Sequence, residues 1–128
     1  AAAAAAASAA GLLTELHSLP YSVSKHATVS LAEWLHITYA KHNIKTSVLC
    51  PQAVATPMIG IAKESDIAAG VDGILSPEAV AKCVIKGLRD ESFLILPHKD
   101  VLTYFQRKAS DYDRWLKGMA RLKDRLIS

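Results

Sequence analysis

The pair of residues with the most chemical content is Tyr21 and Lys25, within Tyr21-Ser22-Val23-Ser24-Lys25. On a helix, an i, i+4 spacing brings two Cβ atoms to about 5–6 Å on one face. An ammonium ~5 Å from a phenol favours the ionised phenol by up to roughly 3 kcal/mol at an effective dielectric of 20. Such a phenol can release a proton and take it back near neutral pH, which is general acid–base chemistry. Spacing alone does not single this pair out, because Tyr104 and Lys108 repeat it. That second pair falls in a basic amphipathic tail and reads as a solvated surface pair. The difference lies upstream: thirteen residues before Tyr21 stands Ser8, followed by Ala9-Ala10-Gly11, whereas the matching position before Tyr104 is Glu91.

The elements that must position these groups follow from periodicity. From Pro20 to about His42, the residues Val23, Ala27, Leu31, Trp34, Leu35 and Thr38 recur at steps of three and four. That stripe predicts a long helix, with Pro20 in its first turn. The β-branched and apolar stretch Lys45 to Cys50 predicts a short buried strand stopped by Pro51. Gln52 to Leu75 holds Pro57, Gly60, Gly70 and Gly73 and reads as a long functional loop, weakly helical around Ile59 to Lys63.

Ser76-Pro77-Glu78-Ala79 is a helix start, and Val80, Val84, Ile85 and Leu88 continue an apolar stripe to Asp90. Phe93 to Leu96 is a further apolar run closed by Pro97, and Leu102, Phe105, Trp115, Leu116, Met119, Leu122 and Leu126 mark one or two terminal helices broken near Ser110. The opening Ala1 to Ala7 is of low complexity and stands where a strand is expected, so it reads as a run of placeholders for other side chains, with a native alanine tract as the competing reading. Strands separated by crossover helices require parallel pairing. In such sheets ligands bind at the carboxyl ends of the strands, where both Ser8 and the turn after Cys50 are placed.

Composition narrows the function classes. The formal charge is only +3, and the basic excess, Arg107, Lys108, Arg114, Lys117, Arg121, Lys123 and Arg125, has the spacing of the wet face of a helix rather than of a nucleic-acid patch. Cys50 and Cys83 are far apart in apolar stretches, which suggests small buried hydrophobes in a reducing, cytoplasmic setting and neither a disulfide nor a metal site. No apolar run reaches the ~20 residues needed to span a bilayer. The histidines show no metal-ligand spacing; His17 and His26 flank the candidate site and read as surface residues.

A serine, then Tyr-x-x-x-Lys thirteen residues on, then a strand leading into Pro51-Gln52-Ala53-Val54-Ala55-Thr56-Pro57-Met58 resembles the short-chain dehydrogenase/reductase family. The resemblance covers Ser8 to about Pro97. It implies an α/β fold, the C-terminal half of a Rossmann-like doubly wound parallel sheet with the N-terminal half absent. Within residues 1–128 it implies a catalytic segment 8–25, a nicotinamide-side turn 51–58, a substrate loop 58–75 and C-terminal helices 100–127. Tyr21 would be general acid in reduction and general base in oxidation and would also contact the cofactor, Ser8 would hold the substrate oxygen, and Lys25 would bind the nicotinamide ribose and favour ionisation of Tyr21. Pro51, the backbone of Val54 and the Thr56 hydroxyl would face the nicotinamide of NAD or NADP.

The substrate would be a small carbonyl or alcohol, and the apolar Met58, Ile59, Ile61 and Ile67 lean toward a hydrophobic one. The helix from Pro20 resembles the one through which such proteins form homodimers and homotetramers, a role that Trp34 or Tyr39 would suit. Two departures matter: Gln52 replaces the family's usual glycine, and the glycine-rich turn, the Asn-Asn-Ala-Gly segment and the catalytic asparagine do not occur. The 128 residues alone are therefore expected to be inactive. The alternative is a catalytically silent relative serving as a binding or scaffold module.

Overall fold

A computed structural model describes residues 2–52 and 74–127. Its centre is a three-stranded parallel sheet in the order β1 (Ala2–Ala6), β2 (Lys45–Leu49), β3 (Leu94–Ile95). Ala2 is in register with Lys45 and Ala6 with Leu49, while Val48 and Leu49 pair with Leu94 and Ile95. The α/β reading and the strand expected under the alanine run both hold. The remaining elements are α1 (Ala10–Leu13), α2 (Leu19–Tyr39) with a 3-10 turn at Ala40–His42, α3 (Pro77–Arg89), α4 (Asp100–Ser110) and α5 (Tyr112–Ile127).

Side chains alternate across a strand, and here the two sets meet different helices. Val48 and Cys50 join Val29 and Ala32 of α2, Val101 of α4 and the β1-end residues Ala7 and Ala9 in the main core. On the other face, Ile95 meets Gly87 of α3, where a Cβ would come within 2.6 Å of the isoleucine side chain. Helices therefore cover both faces, as parallel strands require.

The helix boundaries follow from capping. Ser18 is extended and its Oγ accepts the Tyr21 N–H at 3.3 Å, with Pro20 in the first turn. Asn43, in the left-handed region at φ 56°, ends the 3-10 turn. Ser76 caps α3 in the same way, accepting from Ala79 N–H at 3.1 Å ahead of Pro77. The terminal segment is two helices, parted at Asp111 next to the expected break.

Two faces differ from the sequence expectation. The apolar stripe of α2 is not the face it buries: Val23, Leu31 and Trp34 are 58–59% exposed, whereas Ser22, Val29 and Ala32 are buried. In α3, Val80 and Gly87 are buried while Ile85 and Leu88 are exposed. Sheet and α1 approach α2 so closely that small side chains fit there and large ones do not.

The second correction concerns Lys108, which is not a wet-face residue. It is 6% exposed, and its Nζ donates to the Leu12 carbonyl at 2.7 Å, with the Tyr112 ring centroid 5.4 Å away. Val101, Phe105 and Lys108 thus form the inward face of α4, and the tail is fastened to α1. Lys108→Met leaves the Leu12 carbonyl without its donor, and is expected to cost about 1–3 kcal/mol. A lowered urea midpoint at unchanged slope is the check; an unchanged midpoint would show the bond to be dispensable.

Candidate active site

Ser8 lies just past β1, where the parallel ladder continues beyond the strand itself. Ala7 N–H donates to Leu49 O at 2.8 Å and Ala9 N–H to Pro51 O at 2.9 Å. The Ser8 segment and the Pro51 turn are therefore adjacent at the carboxyl edge, as expected. Ser8 is nearly buried, and its Oγ accepts the Ala10 N–H at 3.1 Å, starting α1. A hydroxyl so engaged keeps its own proton to donate. Cys50 sits behind Ser8: burial pushes its thiol up to about 11, and a hydrogen bond from the Ser8 backbone only partly opposes this. Cys50 is thus a packed hydrophobe at the base of the site and not a nucleophile.

Tyr21 and Lys25 are brought together on the first turns of α2. The ammonium lies 5.4 Å from the Tyr21 ring centroid, over the ring, and Tyr21 is 42% exposed. The link from this pair to the Ser8 segment is close packing at Gly11. A Cβ on Gly11 would lie 2.7 Å from the Lys25 carbonyl oxygen and 2.9 Å from Val29 Cγ2. Only a residue without a side chain lets α1 rest on α2 at that turn.

The loop between α1 and α2 is fixed by polar groups that its composition did not advertise. Glu15 accepts the His17 and Ser18 N–H groups at 2.7 and 2.6 Å. Ser22, buried one position beyond Tyr21, accepts from Glu15 N–H at 2.8 Å and donates to Glu15 O at 3.0 Å. His26 Nδ1 bonds the Ser22 carbonyl at 2.8 Å. His17 is exposed, as the sequence suggests, whereas His26 is half-buried and bonded to the helix backbone instead of being a plain surface residue.

At the other side of the edge, the Gln52 N–H donates to His98 Nδ1 at 3.0 Å, and Gln52 Oε1 is a buried acceptor with no partner among the described residues. Val54, Thr56 and all but the last two residues of the 58–75 loop lie outside the described residues. Among the described residues no cluster of His, Cys, Asp or Glu is arranged to hold a metal, and no helix is long and apolar enough to cross a membrane. A groove of about 390 Å³ runs between α1, α2 and α4, bordered by Leu12, His26, Glu33, Phe105 and Lys108. Tyr21 does not line it.

Comparison with known proteins agrees with this arrangement. The sequence model of the short chain dehydrogenase family matches residues 4–66, a span containing Ser8, Tyr21, Lys25 and Pro51. The 1-deoxy-11-beta-hydroxypentalenate dehydrogenase of Streptomyces exfoliatus is 34% identical over 84 residues, 65% of this chain and 30% of that protein. A short chain dehydrogenase/reductase from Burkholderia phymatum, solved in complex with NAD, superposes with a TM-score of 0.72 at 26% identity, covering 88% of this chain and 48% of its own. A short-chain dehydrogenase from Sphingobium yanoikuyae, solved with NADPH, shares the fold at a TM-score of 0.67 and 18% identity, over 94% of this chain and 44% of that one. The chain thus spans under a third of the curated relative and a little under half of the solved ones. With the Ser8, Tyr21 and Lys25 spacing carried on a parallel sheet that these structures share, the chain belongs to the short-chain dehydrogenase/reductase family.

Proposed function

We propose that these residues form the proton-handling and nicotinamide-side part of an NAD(P)-dependent oxidoreductase acting on a small carbonyl or alcohol. The observation that carries this reading is the half-exposed Tyr21 under the Lys25 ammonium, on the helical turn against which the Ser8 segment is packed through Gly11. The residues present fit the nicotinamide end of such a cofactor. An ammonium at the mouth suits ribose hydroxyls, and the Gln52 Oε1 beside Pro51, without a partner among the described residues, suits an amide donor. When bound, the nicotinamide supplies or accepts the hydride.

In the reducing direction, Tyr21 Oη gives its proton to the substrate oxygen as the carbonyl carbon gains the hydride; in oxidation it takes that proton back. Ser8 Oγ donates a hydrogen bond to the same oxygen and fixes its position. Lys25 stabilises the phenolate that remains and holds the ribose. Pro51, Val54 and Thr56 would contact the nicotinamide, and the apolar residues between Met58 and Ile67 would cover a hydrophobic substrate.

The test is a fluorescence titration of NADH and NADPH against the polypeptide at the full length its gene encodes, since no glycine-rich turn able to cradle a pyrophosphate occurs in the 128 residues. Saturable binding of one of them is expected. Binding of neither would favour the silent module.

We further propose that α2 pairs copies of the chain into a homodimer or homotetramer. In support, Val23, Leu31, Trp34 and Ile37 are exposed on a helix otherwise packed on the sheet, and a contiguous apolar face of this kind marks an interaction surface. Trp34→Glu is expected to shift the sedimenting species toward monomer; an unaltered profile would remove α2 from the interface.

A further inference from the structure

On the β2 side of the β2–β3 ladder, the donors follow in steps of two and then change acceptor. Val48 N–H donates to Phe93 O at 2.7 Å and Cys50 N–H to Ile95 O at 3.0 Å. Continuing in steps of two, the next donor is Gln52 N–H and the next acceptor would be the carbonyl of Pro97. The bond is made instead to the imidazole of the following residue, His98 Nδ1, at 3.0 Å. His98 is 3% exposed, and its carbonyl accepts the Val101 N–H at 3.2 Å at the start of α4, so its backbone is held as well. To accept from an amide, Nδ1 must be without a proton, which places the ring proton on Nε2.

We infer that His98 is a positioning residue: its imidazole takes the place of a backbone acceptor for the β2-side amide that follows Val48 and Cys50, and so fixes where the Pro51–Gln52 turn leaves the carboxyl edge. This inference rests on the reading of that edge as the cofactor-facing one. Pro51 is tied to Ala9 on its other side, so the turn is clamped between the Ser8 segment and α4. A part-buried amide deprived of its acceptor disfavours any arrangement that keeps it dry, and the turn would shift until the Gln52 N–H found water.

Two variants of the full-length protein separate this role from simple packing. His98→Leu fills the space without an acceptor. His98→Asn restores a carbonyl oxygen close to the place of Nδ1 without an ionisable ring. The Leu variant is expected to show faster amide exchange at Gln52 and about tenfold weaker binding of whichever of NADH and NADPH the wild type takes, with KM for that nucleotide rising more than kcat falls. The Asn variant is expected to return exchange and affinity to within about threefold of wild type.

Nitrogen-15 NMR of the wild-type histidines supplies an independent readout, with a bare Nδ1 and a protonated Nε2 expected for His98. A protonated Nδ1, or Asn and Leu variants that behave alike, would overturn the inference. If the Leu variant does not fold, the wild-type tautomer and the Gln52 exchange rate in the Asn variant decide the matter. A wild type that binds neither nucleotide defeats the oxidoreductase reading, while tautomer and exchange still judge the His98–Gln52 bond on its own.

Discussion

Replacing Tyr21 by Phe is expected to lower kcat by about 10²- to 10⁴-fold, the range over which a positioned proton donor acts. The substitution removes one oxygen and keeps the ring over which the Lys25 ammonium lies, so the cation remains in place. Tyr21 is 42% exposed, its hydroxyl fills no cavity, and the thermal midpoint should stay where it is. Nucleotide affinity should change far less than kcat, because Lys25, Pro51, Val54 and Thr56 keep their assigned cofactor contacts. The diagnostic result is a fall in kcat with unchanged melting temperature and a much smaller change in the cofactor titration. Retention of wild-type turnover would exclude Tyr21 as the proton donor and require another group at that edge.

Gly11→Ala is the substitution with the largest expected structural effect. The added methyl would lie 2.7 Å from the Lys25 carbonyl oxygen and 3.1 Å from its carbon, with Val29 Cγ2 at 2.9 Å on the other side. A side-chain tip can swing aside, but Lys25 O belongs to the backbone of α2 and moves only if the helix moves. Overpacking of a tight interior costs about 1–3 kcal/mol, and the upper end applies where backbone is the obstacle. A urea titration should show this loss, and turnover should fall along with stability because α1 carries the Ser8 segment. Gly118→Ala is the control: among the described residues its Cβ would meet only the end of Arg121 at 3.9 Å, and alanine in a helix interior is favoured over glycine by up to about 1 kcal/mol. Equal effects at the two positions would mean that close approach at Gly11 is not what holds α1.

Much of the site was legible because its signals are local. Tyr21 and Lys25 lie one helical turn apart, Ser18 and Pro20 announce the helix that bears them, and Ser8 ends a strand whose position was fixed by the alternation of elements rather than by its own alanines. Three features were not legible, for different reasons. The four-residue α1, Ala10–Leu13, is too short to show a period, and its N-cap position is Ala9, which has no side chain able to cap it.

The inward face of α2 was masked by hydrophobicity itself, since its most apolar residues point outward and the packed side is made of Ser22, Val29 and Ala32. Lys108 and His98 are polar residues whose partners are distant in sequence, Leu12 and Gln52 respectively. No local pattern distinguishes a buried lysine from a solvated one; only the spacing Val101, Phe105, Lys108 hinted that it shares a face with the apolar residues of α4.

The Lys108–Leu12 bond joins positions 96 residues apart. Closing so long a loop carries an entropic penalty that grows only slowly with length, but it must be met before the contact returns anything. During synthesis the ammonium also emerges long after its acceptor. The serine-bearing segment therefore completes its anchoring only when nearly all of this sequence has been made, and any cut that removes α4 would leave Leu12 without its last restraint although the Tyr21 and Lys25 helix was intact.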